Sequence, residues 1–389
     1  MSSPGKTGSP RILYTAISQG HLCVFHRPVL KHLRSRGYLV IAVANQSPGF
    51  QLDEADQVSD IQFGRNPLSL RNLAALRQMI RLVRTNAYTL IHCHTPVASA
   101  LTRVASFFAR RPKPVVVYTA HGFHFYPKAP WSSWLLWFSL EWVLTRITDV
   151  IVVINRWDER AAQRFLRAKR VFRIPGMGVD LERFKPASNE ERRKARQALS
   201  IDGGSFVLLY VAELIPRKNH GFVVDALPDI LEIVPNTTVL FAGDGPLEGA
   251  YKAQCERLGI AKHVRFLGFR ADVEALCRAA DIAVSASRHE GLGIGLAEAM
   301  ASGLPIVASE DRGHRELVVS GENGWIFNQN DREAFVRSVL ALASDADLRM
   351  RFGTRGRELI AAFSVSASLQ SLSDVYDEAE ALARDRGLI

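Results

Sequence analysis

The sequence has few cysteines and no long apolar run, and both absences narrow the class of protein. Its four cysteines, Cys23, Cys93, Cys255 and Cys277, lie far apart and form no Cys-x-x-Cys pair. A disulfide scaffold and a zinc ribbon are therefore excluded, and a reducing cytosol is the expected compartment. No apolar run reaches the roughly 18 residues that a membrane-spanning helix needs. The N-terminal segment MSSPGKTGSP lacks the apolar stretch that is typical of a secretory signal.

The chain is otherwise long, apolar and unevenly charged. It has 389 residues, of which 47% are hydrophobic. This excludes global disorder and indicates two domains, or three. Residues 1–180 contain 24 Lys and Arg against 9 Asp and Glu, whereas residues 181–389 contain 25 against 30. The basic half predicts an anionic partner, such as nucleic acid, an anionic membrane or a phosphorylated substrate, unless its charge is ordinary solvated surface.

Two series of alternating strands and helices divide the chain. A polar, charged stretch from Leu181 to Ser200 separates the two series. Alternation of this kind is typical of parallel sheets with helices on their faces, so we predict two α/β domains. The predicted strands are Arg11–Ala16, Leu39–Ala44, Leu90–Cys93, Val115–Thr119, Val150–Ile154, Phe206–Val211, Thr238–Ala242, Val264–Leu267, Ile282–Ser285, Pro305–Ala308 and Gly324–Phe327. Helical patterns include Arg27–Arg36, Leu70–Thr85, Val97–Ala109, Gly221–Ile233 and the segment from Ser366 onward.

Residues 131–144 form an aromatic segment that contains four of the six tryptophans. The segment is too short to span a bilayer, but it could lie at a membrane interface. The alternative is a buried helix that packs on the sheet. Lys113, Lys128 and Arg146 flank the segment and favour the interfacial interpretation slightly.

The sharpest chemical motif is a glycine-rich turn between the strand Ile282–Ser285 and a helix. Glu290 and Glu298 stand eight residues apart around this turn, with Gly291, Gly293 and Gly295 between them. The glycines let backbone N–H groups approach a ligand, and a helix N-terminus favours negative charge. Carboxylates accept hydrogen bonds in pairs from vicinal diols, so sugar or ribose hydroxyls fit this site.

Two further motifs follow strands in the same half. Arg217 and Lys218 come after the strand Phe206–Val211, where adjacent cations suit a diphosphate, although a solvated surface is the equal alternative. Gly243 lies in the turn Ala242–Pro246, at the rim where α/β sheets bind ligands. Neither motif is a P-loop, because no Gly-Lys-Ser/Thr follows.

Histidines cluster at predicted strand ends in the first half. His92 and His94 end one strand, and His121 follows the next. A zinc site of these three is conceivable, but no carboxylate or thiolate completes the set. We favour neutral donors and acceptors for a hydroxylated substrate.

Together these motifs resemble those of the family 4 retaining glycosyltransferases. The resemblance runs from Ile12 to about Leu372. It rests on the two glutamates before Ala-Met-Ala-Ser-Gly-Leu-Pro, on Arg217-Lys218-Asn219, on Gly243-Asp244-Gly245-Pro246 and on Ile174-Pro175-Gly176-Met177-Gly178-Val179-Asp180. The stretches Tyr118–Tyr126 and Gly176–Asp180 are similar to the branch that builds bacterial exopolysaccharide, capsule or related surface glycans.

The resemblance implies a GT-B fold, in which two Rossmann-like parallel-sheet domains face each other across a cleft. Residues 1–180 would be the acceptor-binding domain and residues 181–365 the nucleotide-sugar-binding domain. Residues 366–389 would form a C-terminal helix that crosses back to the first domain. No cofactor and no metal are implied, because protein cations and helix dipoles would stabilise the leaving diphosphate.

The resemblance also implies residue roles. Glu298 would hold the ribose, Glu290 the transferred sugar, and Gly20, in the loop after the first strand, would approach the diphosphate. The implied catalytic residues are Glu290, His121, Arg217 and Lys218. The implied donor-binding residues are Gly20, Arg217, Lys218, Gly243, Leu267, Gly268, Glu290, Gly291, Leu292, Gly293 and Glu298. His94 and His124 are the implied acceptor-binding residues.

The expected activity is retaining transfer of a hexose or N-acetylhexosamine from a nucleotide diphospho-sugar to a glycan acceptor. The resemblance favours a UDP-linked donor and a lipid-diphosphate-linked acceptor, in surface polysaccharide biosynthesis. The expected location is the cytoplasm, peripherally on the anionic inner face of the plasma membrane. The alternatives are a GT-B sugar-nucleotide 2-epimerase and a non-catalytic glycan- or nucleotide-binding scaffold. No nucleic-acid partner is expected, because no recognised binding motif accompanies the charge.

Overall fold

The computed structural model describes residues 9–389, which divide into two compact units. The first contains the described residues up to Met177 together with Ser366–Ile389, and the second contains Gly178–Val365. Residues 1–8, which make up most of the N-terminal segment without an apolar stretch, lie outside the described residues. The predicted domain limits, after residues 180 and 365, lie next to these divisions.

The first unit is built on a seven-stranded parallel sheet. Its strand order is β3-β2-β1-β4-β5-β6-β7. The chain therefore starts inside the sheet at β1, adds β2 and β3 on one side, and then adds β4 to β7 on the other side. The strands are β1 (Arg11–Ser18), β2 (Leu39–Asn45), β3 (Gln57–Asp60), β4 (Leu90–His94), β5 (Val115–Ala120), β6 (Val150–Val153) and β7 (Val171–Arg173). Every residue of β4 and β5 is buried, as expected for inner strands covered on both faces. The two edge strands, β3 and β7, were not predicted because they are short and carry no apolar run.

Four helices of the first unit begin within one residue of their predicted starts: α2 (Arg27–Ser35), α3 (Arg71–Thr85), α4 (Pro96–Phe107) and the C-terminal α16 (Val365–Asp385). The unit also contains α1 (Gln19–Phe25), α5 (Trp131–Ser133), α6 (Ser139–Leu144) and α7 (Arg156–Arg164). A π-helical turn, Trp134–Phe138, joins α5 to α6, and a 3₁₀ turn, Thr145–Ile147, follows. Pro28 and Pro96 occupy the first turns of α2 and α4, where the missing N–H costs nothing.

The C-terminal helix packs on the first unit, which confirms that part of the predicted fold. Arg36 donates to Asp377 and Glu380 of α16, with N···O distances of 2.6 and 2.8 Å. The Tyr376 hydroxyl, completely buried, is hydrogen-bonded to Nδ1 of His92 at 2.8 Å. The charged face of the helix therefore pairs with basic residues of the first unit, while its apolar face is buried.

The second unit contains a six-stranded parallel sheet of order β10-β9-β8-β11-β12-β13. Its strands are β8 (Phe206–Val211), β9 (Thr237–Ala242), β10 (Val264–Phe266), β11 (Ile282–Ser285), β12 (Ile306–Ser309) and β13 (Gly324–Phe327). Its helices are α8 (Asn189–Ala198), α9 (His220–Ile233), α10 (Glu248–Arg257), α11 (Val273–Ala279), α12 (Ile294–Ala301), α13 (His314–Leu317), α14 (Arg332–Ser344) and α15 (Ala346–Ile360). All six strands were predicted to within one residue at each end. The two parallel-sheet domains confirm the predicted fold class.

The polar stretch between the two predicted domains contains helix α8. Ser188 begins it with a capping box, since its side chain accepts the Glu191 N–H and its own N–H donates to the Glu191 carboxylate. Arg196 on the same helix is 5% exposed and donates to Asp281 at 2.7 Å. The helix is therefore fixed to the second unit by ion pairs rather than by an apolar face.

Candidate active site

The glycine-rich turn of the second unit places its two glutamates as the sequence predicts. It leaves β11 and enters α12 at Gly293, whose φ of 97° is a left-handed conformation that favours glycine. A Cβ at Gly295 would lie 2.8 Å from the Val211 carbonyl oxygen, so only glycine allows the helix to start this close to β8. Glu290 therefore precedes the helix, and Glu298 lies in its second turn.

Glu290 is a buried carboxylate held by two cations. It is 8% exposed, and its Oε2 accepts from Nη1 of Arg217 at 3.0 Å. Nζ of Lys218 contacts its other oxygen, Oε1. Burial opposes ionisation of Glu290, but the charges of Lys218 and Arg217 outweigh it and lower its pKa to about 2. Glu290 is therefore ionised throughout the neutral range.

Arg217 and Lys218 occupy one 3₁₀ turn, Pro216–Lys218, between β8 and α9. The Lys218 side chain is only 16% exposed, and Arg217 also donates to the His289 carbonyl oxygen at 3.0 Å. Asn219 follows with a φ of 54° and ends the turn. Both cations contact a buried carboxylate, and the Arg217 side chain is also 35% exposed.

Asp311, which was not predicted, fixes the backbone of Glu290. Its carboxylate oxygens both accept the Glu290 N–H at 2.9 Å. Burial raises the pKa of Asp311, although this backbone hydrogen bond lowers it again in part. The sequence feature that could have identified Asp311 is its position just after β12. Because β11 and β12 are neighbouring parallel strands, this position lies at the same sheet edge as the glycine-rich turn.

Glu298 differs from Glu290 in having no cation of its own. Burial raises its pKa to about 7, with a smaller contribution from Glu274, and Arg183 offsets part of this rise. Among residues 9–389 no side chain forms a hydrogen bond or ion pair with its carboxylate. Hydroxyl groups of a ligand would supply the hydrogen bonds that this carboxylate lacks.

The predicted turn after β9 lies against the end of β10. The Gly243 N–H donates to the Gly268 carbonyl oxygen at 2.8 Å. A Cβ at Gly243, where φ is 148°, would lie 2.1 Å from the Ala212 carbonyl oxygen. Leu267, Gly268 and Gly243 are thus brought together at the same sheet edge as the start of α9.

The first unit brings the predicted histidines together around His94. His94 Nδ1 and His121 Nε2 are hydrogen-bonded at 3.1 Å, and His94 is completely buried. His92 uses both ring nitrogens, toward Tyr376 and toward Thr119, so the zinc set conceived from His92, His94 and His121 does not form. The predicted roles of His94 and His121 stay predictions.

Gly20 and His124, also in the first unit, have different surroundings from those expected. Gly20 lies within α1 rather than in a loop, because β1 extends to Ser18 and Ser18 caps the helix at once. Its N–H donates to Ser47 Oγ at 3.2 Å. His124 is exposed and lies beside Trp137, with the ring centroids 4.7 Å apart.

The aromatic segment is partly packed on the core and partly exposed. Trp134 and Trp137 are half-buried against the apolar core of the first unit. Trp131 is 77% exposed and Trp142 42% exposed. Beneath them, buried Glu141 pairs with Arg103 of α4 at 2.8 Å and ties the segment to the fold. No helix within residues 9–389 is long and apolar enough to cross a membrane.

Two Rossmann-like domains, the second with a cation-paired glutamate at a glycine-rich turn, define the GT-B class of glycosyltransferases. Family models agree: residues 28–183 match "Glycosyltransferase Family 4" and residues 191–359 match "Glycosyl transferases group 1". The "Putative glycosyltransferase EpsD" of Bacillus subtilis (strain 168) is 36% identical over 367 residues, covering 94% of this chain and 96% of its own. The chain therefore belongs to the group 1, family 4 glycosyltransferases.

Two further similarities involve proteins with described ligands or reactions. The UDP-Gal:alpha-D-GlcNAc-diphosphoundecaprenol alpha-1,3-galactosyltransferase of Escherichia coli is 26% identical over 317 residues, 80% of this chain and 81% of its own. The crystal structure of Anabaena Alr3699/HepE in complex with UDP and glucose superposes with a TM-score of 0.78. That similarity covers 95% of this chain and all of the other at 22% identity, so it supports the fold alone.

Proposed function

We propose that the enzyme is a retaining glycosyltransferase that takes a hexose or N-acetylhexosamine from a UDP-sugar. Its acceptor would be a glycan on a lipid diphosphate, in surface polysaccharide biosynthesis. The observation that carries the proposal is the buried Glu290 held by Arg217 and Lys218 beside the glycine-rich turn. The Escherichia coli relative, named for a UDP-galactose donor and a diphosphoundecaprenol acceptor, supports both substrate classes.

In the proposed donor site, Arg217 and Lys218 pair with the Glu290 carboxylate in the free enzyme and with the donor diphosphate in the complex. Without a ligand, Arg217 and Lys218 neutralise Glu290. A bound diphosphate would share these cations, and the leaving group would be stabilised by side-chain charge and by N–H groups at the start of α12. On this account neither a metal nor a cofactor is needed for transfer. Backbone atoms of Gly291, Leu292 and Gly293 would line the sugar and phosphate.

Retention follows in this proposal from attack on the face of the sugar that the diphosphate leaves. Glu290 stays ionised, so it would stabilise positive charge developing at the anomeric carbon rather than accept a proton. Leu267, Gly268 and Gly243 would contact the base through backbone atoms at their shared sheet edge. The first unit would bind the acceptor, with exposed His124 as the residue proposed to contact it.

A panel of UDP-, GDP- and ADP-sugars tests the function. We expect one UDP-sugar to raise the melting temperature most, since ligands that bind only the folded state stabilise it by mass action. With that donor and a lipid-diphosphate-linked glycan, proton NMR of the first product should show an α linkage. A β linkage would refute retention, and donor conversion without acceptor would indicate a 2-epimerase. Nucleotide binding without any conversion would indicate a scaffold.

Glu298→Gln is expected to stabilise the free enzyme above pH 7 and to weaken nucleotide binding. The folded enzyme holds the Glu298 proton up to about pH 7, against an ordinary pKa of 4.5, so this contribution to stability is present below pH 4.5 and is lost as the pH rises through 7. Glutamine avoids that loss. Nucleotide affinity should fall by about 1–3 kcal/mol, the scale of a charged hydrogen bond. Melting curves from pH 5 to 8, with and without UDP, measure both effects.

The control for Glu298 is Glu333→Gln on α14, because the Glu333 side chain is 88% exposed. It should change neither the pH dependence nor the UDP shift. If Glu298→Gln also leaves both unchanged, Glu298 is not the ribose ligand.

We also place the first unit on the anionic cytoplasmic face of the membrane, through the exposed part of the aromatic segment. Its exposed apolar side chains are Trp131, Leu135, Leu136, Trp142 and Val143. The Arg146 guanidinium lies over the Trp142 ring, with its Cζ 3.3 Å from the ring centroid. Exposed aromatic rings beside basic side chains are the chemistry that interfacial anchoring requires.

Trp131→Ala/Trp142→Ala is expected to lower binding to anionic vesicles without loss of stability, because both rings are exposed. Salt should weaken wild-type binding only in part. It screens the attraction of basic residues to anionic lipid, roughly 1 kcal/mol each, but it does not remove the apolar contribution of the tryptophans. Co-sedimentation with anionic vesicles at low and high salt measures this. Val58→Ala/Leu68→Ala, which alters exposed apolar side chains elsewhere in the unit, is the control. Equal binding by wild type and the tryptophan variant would assign any attraction to charge alone.

A further inference from the structure

Five histidines from four places in the first unit form one continuous cluster. Neighbouring ring centroids lie between 4.3 and 5.7 Å apart. The cluster consists of His21 on α1, His26 at the start of α2, His92 and His94 on β4 and His121 after β5. His121 is an implied catalytic residue and His94 an implied acceptor-binding residue, whereas His21, His26 and His92 have no role in the proposed transfer reaction.

Several ring nitrogens of this cluster have no partner. Nε2 of His21, Nε2 of His26 and Nε2 of His94 are buried and accept or donate no hydrogen bond. His26 and His94 are completely buried. Because native proteins pair nearly all buried polar atoms, three unpaired nitrogens within one histidine cluster point to a ligand.

The geometry selects three of the five rings as ligands. One ring nitrogen from each of His21, His26 and His121 lies within 4.8 Å of the other two. Nδ1 of His26 is hydrogen-bonded to the Tyr14 hydroxyl at 2.7 Å. A partner on the far nitrogen is the usual arrangement of a metal-binding histidine, because it orients the ring and fixes its tautomer.

We propose that His21, His26 and His121 bind a divalent transition metal ion of the zinc class, with water or His94 completing the site. An all-imidazole set suits zinc, cobalt, nickel or copper and excludes magnesium and calcium, which need oxygen ligands. Metal–nitrogen bonds of 2.0–2.1 Å require nitrogens about 3.3 Å apart in a tetrahedron, so the ring nitrogens would move together by up to about 1.5 Å on binding.

A metal ion fits this cluster better than a sugar hydroxyl does. His26 is completely buried, whereas His21 and His121 are half-buried, so a single ion suits its nitrogen better than a bulky sugar does.

Metal binding would inhibit the enzyme, because it would occupy His121, which is an implied catalytic residue. This consequence rests on the proposed function, whereas the binding itself does not.

Cobalt titration of metal-free, untagged full-length protein tests the site. We expect one Co²⁺ per chain with the intense visible bands of tetrahedral coordination, displaced by Zn²⁺ and not by Mg²⁺. His26→Gln and His21→Gln should weaken binding at least about 10-fold, and Tyr14→Phe should do so about 10- to 100-fold through the lost outer hydrogen bond. His32→Gln, in the same unit but hydrogen-bonded to Ser373, is the matched control and should bind as wild type does.

Three outcomes would overturn the site. The first is the absence of cobalt after gel filtration. The second is that the His21 and His26 variants bind cobalt as tightly as wild type does, and the third is that the His32 control loses as much affinity as those two variants. Circular dichroism and melting curves establish that each variant is folded. His21 is half-buried, so its variant keeps the test decisive if His26→Gln does not fold. Failure of transfer activity with intact cobalt binding would overturn the proposed function alone.

Discussion

Glu290→Gln is expected to lower turnover about 10²–10³-fold, the usual loss when one transition-state electrostatic contact is removed. Glutamine keeps the shape of the side chain but removes the charge proposed to act at the anomeric carbon. Arg217 and Lys218 would keep their positive charge and lose the carboxylate that neutralises them. Nucleotide affinity should therefore stay equal or rise, so the defect should lie in kcat. Initial rates at saturating donor, with UDP affinity by calorimetry, measure the split.

The matched control is Glu248→Gln on α10, whose carboxylate pairs with Lys252 on the surface of the same unit. It should leave kcat and UDP affinity unchanged. Because the two cations hold the pKa of Glu290 at about 2, Glu290 stays ionised near neutral pH. Its protonation should therefore not lower wild-type turnover on the acid side of that range. If Glu290→Gln instead weakens UDP binding and leaves kcat intact, the carboxylate positions the cations and does not act on the sugar.

Most of the fold could be predicted because a strand buried on both faces reads as an unbroken apolar run. Val115–Thr119 and Phe206–Val211 are examples, and both form strands that are almost completely buried. Strand β3, with the sequence Gln-Val-Ser-Asp, pairs with β2 at the sheet edge, and none of its residues is buried. Its backbone pairing, rather than its side chains, makes it a strand, and composition alone does not reveal such pairing.

The site could be predicted where its chemistry lies on one short segment and not where distant segments meet. Glu290, Glu298 and their glycines share one turn, so spacing was enough. Asp311 reaches the Glu290 backbone only because β11 and β12 are adjacent. His26 joins the histidine cluster because α1 ends and α2 begins at that residue. The hydrophobic periodicity of the sequence does not predict this change of direction between the two helices.

Surface and core could not be separated within the aromatic segment either. A helical spacing puts Trp134 and Trp137 on one face, and the structure packs that face on the core. The sequence pattern does not show that Glu141 is the buried member of the segment. Its burial depends on Arg103, which lies on α4 and is completely buried.

The Arg103–Glu141 pair is a buried ionic contact of the first unit. Arg103 donates to Glu141 through Nη1 at 2.8 Å and Nη2 at 3.0 Å. The Tyr118 hydroxyl donates to the same carboxylate at 3.1 Å, and the guanidinium lies over the Tyr118 ring, with its Cζ 3.9 Å from the centroid. With every charge satisfied, this network holds α4, β5 and α6 in one arrangement.

Glu141→Gln is expected to destabilise the first unit by about 3–5 kcal/mol, because it leaves the buried Arg103 charge without its counter-ion. Five of the six tryptophans lie in that unit, so tryptophan fluorescence during urea unfolding reports on it. Glu159→Gln breaks a half-exposed pair with Arg173 and should cost at most about 1 kcal/mol. The double variant Arg103→Met/Glu141→Leu should recover much of the loss, since it removes both buried charges together. Should Glu141→Gln cost no more than Glu159→Gln, water reaches the pair and the network does not organise the aromatic segment.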